Sequence, residues 1–87
     1  MNDEQLLVFP CAFPVKLMGR ESPEFHAIAR SLIEQHTGPL EDDAICSSLS
    51  RNGRFVSITV TVHAQSQRQL DDIYRDASAH EAVLIAL

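Results

Sequence analysis

The chain contains no tryptophan, one tyrosine and four phenylalanines among its 87 residues. So few aromatics leave no row of exposed rings on which nucleic-acid bases could stack. Basic residues are scarce as well. Seven Lys and Arg against twelve Asp and Glu give a formal charge of -5. That balance disfavours general binding to a polyanion, while leaving room for a local basic patch. There are only two cysteines, Cys11 and Cys46. They form no C-x-x-C pair and no disulfide framework, so they are expected to be reduced thiols, partly or fully buried. No apolar run is long enough to span a bilayer. The opening Met1-Asn2-Asp3-Glu4 is acidic where a secretion signal is basic, which points to a cytoplasmic protein.

What the chain does have is 45% hydrophobic residues and 22% charged ones, enough for one globular domain over residues 1–87. Residues 1–12 read as an extended segment, with Leu6, Leu7 and Phe9 expected to pack as a lid on the core. Pro10 and Pro14 exclude a helix there. Phe13 to Met18 reads as a strand, with Val15 and Leu17 on one face and Lys16 and Met18 on the other. Gly19 is expected to break it and open a loop at Arg20-Glu21.

Ser22 as N-cap, Pro23 in the first turn and Glu24 near the helix dipole mark a helix start. Phe25, Ile28, Ala29, Leu32 and Ile33 form its apolar stripe, and Gly38-Pro39 ends it. An acidic loop, Leu40 to Asp43, leads to a weaker strand at Ala44 to Ser50. Arg51-Asn52-Gly53-Arg54 carries the Asn-Gly signal of a tight hairpin in which both residues accept positive φ. Phe55 to His63 then alternates strictly. Val56, Ile58, Val60 and Val62 face one way, and Phe55, Ser57, Thr59, Thr61 and His63 the other.

Ser66 and Gln69 fit a capping box ahead of a second helix striped by Leu70, Ile73, Tyr74 and Ala77. His80 is placed to interact with that helix's last carbonyls. Ala82 to Leu87 reads as a final strand. The order βαββαβ with right-handed crossovers predicts an α+β, ferredoxin-like sandwich, with two helices over one face of a four-stranded antiparallel sheet.

The string Phe9-Pro10-Cys11-Ala12-Phe13-Pro14-Val15-Lys16-Leu17-Met18-Gly19 resembles the opening of the YbeD-like proteins, small bacterial proteins of unknown function. The similarity continues through Ser57-Ile58-Thr59-Val60-Thr61 and the hydrophobic C-terminus. It implies a ferredoxin-like fold similar to the ACT regulatory domains of amino-acid metabolism. Some members also carry a lipoate-related regulatory designation. The resemblance brings no catalytic residue and no cofactor.

ACT domains commonly bind an amino acid where the first strand turns into the first helix, often at a dimer interface. The matching residues here are Arg20, Glu21, Ser22 and Glu24. Helix N–H groups and the Arg20 guanidinium suit a ligand carboxylate. Glu24, however, stands where ACT domains often have glycine, and its charge opposes an acidic ligand. Arg51 to Val56 faintly resembles an RNA-recognition signature, but Phe55 is its only aromatic on the wet face. Acylphosphatases share the topology and use an arginine and an asparagine. Asn52 lies in the hairpin, however, and the first loop lacks a glycine-rich phosphate cradle. His26, His36, His63 and His80 have no metal-site spacing, and Glu41, Asp42 and Asp43 have no EF-hand pattern.

The reading that results is a non-enzymatic regulatory or protein-interaction module without metal or cofactor. It is expected to form a homodimer through a sheet edge or the open sheet face, or to meet an unknown protein partner. Nucleic acid and membrane are not expected partners. The alternative is a sensor of an amino acid or related acid at Arg20–Glu24.

Overall fold

Strict alternation in the third strand organises the molecule. In the computed structural model, which describes residues 7–87, the elements are β1 (Cys11–Arg20), α1 (Pro23–Thr37), β2 (Ile45–Leu49), β3 (Phe55–Ala64), α2 (Gln67–Ala79) and β4 (Ile85–Ala86). A single 3-10 turn, Asp42–Ala44, leads into β2. The strands form one antiparallel sheet in the order β2-β3-β1-β4. This is the ferredoxin-like βαββαβ sandwich. Val56, Ile58, Val60 and Val62 of β3 are buried with Val15 and Leu17 of β1, under Phe25, Ala29 and Ile33 of α1 and Leu70, Ile73 and Ala77 of α2. Both helices therefore cover one face of the sheet and, among the described residues, leave the other bare.

β1 and β3 pair over ten residues, from Cys11 opposite Ala64 to Arg20 opposite Phe55. The first strand is thus longer than Phe13–Met18 and runs through Gly19 instead of breaking there. Glycine stands at this point because a Cβ would come within 2.5 Å of the Phe25 ring and 2.7 Å of the Ala82 carbonyl oxygen. Pro14 is tolerated inside the ladder for a different reason. Lys16 exchanges backbone hydrogen bonds with Leu87 of 2.9 and 2.8 Å, and Leu84 N–H donates to Met18 O. Even-numbered β1 residues therefore direct their backbone groups toward β4, which does not reach as far as Pro14. The missing N–H costs no ladder bond.

α1 begins and ends as its sequence implies. Ser22 Oγ accepts the Phe25 N–H at 3.0 Å, and Gly38, at φ 80, donates its N–H to Glu34 O. Ile28 and Leu32 are only half-buried, so the packed stripe is narrower than the five-residue one. α2 is capped by Ser66 Oγ, which accepts the Gln69 N–H. The Gln69 side chain does not return to the cap residue as in a closed capping box. Its Oε1 accepts from Gln65 N–H, and its Nε2 donates to His36 O at the end of α1. His36 Nε2 lies 2.6 Å from Asp76 Oδ2, a second tie between the helices.

Four other expectations change. The β2–β3 connection is not a two-residue turn: Ser50 N–H donates to Phe55 O and Gly53 N–H to Ser50 O. Only Gly53 takes positive φ, while Asn52 Oδ1 accepts from Ser50 Oγ and Arg54 N–H. Such four-residue loops are commonly built around an ordinary turn. β4 is shorter than Ala82–Leu87, because Ala82 and Val83 belong to a turn closed by Val83 N–H to His80 O. The His80 ring does not cap helix carbonyls; its Nδ1 accepts the Ala82 N–H at 3.1 Å. Of the N-terminal lid, Phe9 packs on the core, Leu7 is 38% exposed, and Leu6 and the acidic Met1–Glu4 run lie outside the described residues.

Candidate functional site

The bare face of the sheet is set by strand parity. Residues paired across antiparallel strands share a face, so Lys16, Met18 and Arg20 stand with Thr59, Ser57 and Phe55. Cys46 and Ser48 of β2 join them, as does Ile85 of β4. Leu87, hydrogen-bonded opposite Lys16, extends the same surface. None of the four strands contains an Asp or Glu. The described carboxylate side chains all lie in helices, turns and loops, whereas Lys16 and Arg20 are on the bare face and Arg51 and Arg54 in the adjoining hairpin. A chain of net charge -5 thus has, among the described residues, a positive sheet face and a negative helix layer.

The face combines charge with apolar surface. The Arg20 guanidinium stands 5.4 Å from the centre of the Phe55 ring, close enough for a cation–π contact worth about 0.5–1 kcal/mol in the open. Ile85 and Leu87 are 46% and 62% exposed. A shallow trough of about 290 Å³ runs between β1 and β2, lined by Lys16, Met18, Cys46, Ser48, Phe55 and Thr59 among others. Cys46, expected to be at least partly buried, is exposed here because its register opposite Thr59 turns it away from the helices. Cys11, half-buried, packs against the core.

The edge of β2 belongs to the same surface. Backbone parity, fixed by the Ser50–Phe55 and Lys16–Leu87 bonds, directs Cys46 and Ser48 toward β3 and Ile45, Ser47 and Leu49 outward. Ile45 N–H donates to Asp42 O, while the outward N–H groups of Ser47 and Leu49 have no acceptor among the described residues. Leu49 has the parity of the buried face yet is 58% exposed, because it lies beyond the cover of the helices.

The residues singled out for ligand binding take separate places. Arg20 stacks on Phe55 on the bare face. Glu21 donates its N–H to Arg54 O and holds His26 Nε2 at 2.8 Å with its carboxylate. Ser22 Oγ is engaged as the helix cap, and Glu24 is exposed in the first turn. The four do not converge on one point. Away from this region, Arg30 ties α1 to the following loop. It donates to Leu40 O at 2.6 Å and to Asp42 and Glu34. The Leu40 N–H and then the Arg30 guanidinium hold the Glu34 carboxyl below its ordinary range, and Asp42 and Glu34 raise Arg30. Among the described residues no group of three His, Cys, Asp or Glu is disposed to hold a metal ion. No helix among them is long and apolar enough to cross a membrane.

The sequence profile of a family described as "Protein of unknown function (DUF493)" matches residues 4–87, nearly the whole chain. The chain belongs to the DUF493 family. Relatives in the family carry the name UPF0250 protein. The one from Paraburkholderia phytofirmans is 38% identical over 85 residues, covering 98% of this chain and 96% of that protein. The one from Nitrosomonas europaea is 33% identical over the full length of both. The solution structure of protein HP0495 from H. pylori superimposes with a TM-score of 0.73, covering 98% of this chain and 91% of that one at 17% identity. That likeness is one of fold. The DUF493 relatives bring no activity by name, so function is read from the bare sheet face and its β2 edge.

The sequence reading missed the lack of Asp and Glu on this face among the described residues and the exposed Leu49. The first had a legible signal, since every Asp and Glu falls outside the four strands. The second did not, because it depends on how far the helices reach across the sheet.

Proposed function

We propose that the chain is a non-enzymatic, ACT-like interaction module that presents its bare sheet face to an acidic surface on another protein. The observation that carries this reading is that, among the described residues, no Asp or Glu side chain stands on the face bearing Lys16 and Arg20 in an otherwise acidic chain. Complementary charge steers encounter and selects partners, while Phe55, Met18 and Ile85 supply apolar contact at the centre. Regulation, in this reading, is exerted by docking and not by chemistry on a substrate.

The test places a photoreactive side chain at Thr61 on the bare face or at Ser78, exposed near the end of α2, in the full chain within its own cell extract. Adducts are expected from Thr61 and not from Ser78, and they should be lost when Lys16 and Arg20 are both changed to Glu. Equal yields from both positions, or adducts indifferent to the charge reversal, overturn the proposal. Sensing of an amino acid at Arg20–Glu24 has weaker support, because the Phe25 amide that opens α1 is already met by Ser22 and the Arg20 guanidinium lies over Phe55. A melting temperature that rises with amino acid concentration would favour it.

A further inference from the structure

Edge strands in monomeric proteins are normally defended by charge, proline, a bulge or extreme shortness. β4 is defended by its two-residue length. β2 has none of the chemical defences: Ile45-Cys46-Ser47-Ser48-Leu49 is uncharged and proline-free. Its outer side offers the N–H groups of Ser47 and Leu49 and the carbonyls of Ile45, Ser47 and Leu49. Two residues before it stands Asp43 and two residues after it Arg51, both exposed. The strand is thus negative at one end, positive at the other, and, among the described residues, open along its side.

We infer that β2 pairs antiparallel with β2 of a second copy about a two-fold axis through Ser47, joining the two sheets into one of eight strands. Three features select this register. It superposes the whole of β2 on the whole of its counterpart. It sets Ile45 of each copy beside Leu49 of the other, covering the leucine that the helices leave bare. It also brings Asp43 of each copy alongside Arg51 of the other, so that the charges attract at both ends. A shift by one step in either direction sets Asp43 beside Leu49 or Gly53 and loses these matches. The Ser47 and Leu49 N–H groups then donate to the Ser47 and Ile45 carbonyls of the second copy, which leaves the Ile45 N–H on Asp42 undisturbed. With the axis perpendicular to the sheet, both bare faces lie on the same side, giving one continuous surface with Lys16 and Arg20 twice represented. The dimer goes beyond the docking function and stands or falls separately from it.

Sedimentation of the full chain from about 10 to about 500 µM, the range in which a small interface populates its complex, tests the inference. The sedimenting mass should rise with concentration toward twice the 9.7 kDa of the chain. Asp43→Arg and Arg51→Asp should each weaken the dimer at least about fivefold, since each acts at two symmetric contacts. The double reversal should restore it to within about twofold. Ser47→Pro, which removes an N–H that the monomer does not use, should abolish the dimer. A single-chain mass at every concentration overturns the inference and leaves the edge free for a foreign strand. A dimer that the charge reversals do not weaken, or that the double reversal does not restore, overturns the register.

Discussion

Gly19→Ala is the most demanding substitution the fold offers, because the added methyl group has nowhere to go. Its Cβ would stand 2.5 and 2.7 Å from two carbons of the Phe25 ring and 2.7 Å from the Ala82 carbonyl oxygen. Phe25 is 2% exposed in the first turn of α1, and its ring cannot swing away without opening the core. The carbonyl belongs to the turn that feeds β4. Overpacking of this kind costs about 1–3 kcal/mol, and contact with backbone places it toward the upper end. Restricting the unfolded chain returns only about 0.4–1 kcal/mol. A net loss near 2 kcal/mol lowers the melting temperature of a domain this size by roughly 8–16 °C. Thermal and urea unfolding of the variant measure it. Phe25→Leu, which shortens the opposing ring, should cost less in the Gly19→Ala background than alone, giving a favourable coupling. A Gly19→Ala protein as stable as the parent would refute the claim that β1 and the start of α1 are in contact at this point.

Ile58→Asp buries an unpaired carboxylate at the centre of the sheet and should unfold the domain. Arg20→Ala should cost no more than about 1 kcal/mol, and equal melting temperatures for the two would contradict the assignment of faces. The Glu34 carboxyl is held below its ordinary 4.5 by Leu40 N–H and Arg30. Its contribution is present above that value and is lost as pH falls through the lower folded one. The melting-temperature gap between parent and Glu34→Gln should therefore narrow between about pH 6 and about pH 3; a constant gap would count against it. Burial raises the Tyr74 phenol above its ordinary 10, so its support is present below pH 10 and declines as pH rises through the folded value. Tyr74→Phe, which loses the 2.8 Å bond to Leu87 O, should cost about 0.5–1 kcal/mol at neutral pH and progressively less in alkali.

Where a residue's role is fixed by its near neighbours, the sequence was explicit. Ser22, Pro23 and Glu24 define the start of α1 through contacts within one turn, and the branched residues of β3 declare their buried face by spacing alone. Some departures are local, as in the hairpin set by Asn52 and the turn set by His80, and others involve contacts between elements. Gly19 looks like a strand breaker until Phe25, six residues on, is seen to occupy the space beside it. The length of β4 depends on the turn that His80 closes with its ring nitrogen. Cys46 and Leu49 owe their exposure to register and to the reach of the helices, neither of which is written in β2 itself. The candidate surface was legible only as an absence of acids from the strands, while Arg20 was drawn to a loop because the strand was ended two residues too early.

The β2 edge as an unpartnered docking strand is tested most directly by amide hydrogen exchange, residue by residue, at about 20 and about 500 µM. Protection should rise with concentration at Ser47 and Leu49, while the Ile58 amide, bonded within the monomer to β1, stays as it was. Ser47 and Leu49 amides that exchange freely at both concentrations, with any new protection falling on the helices, would contradict the account.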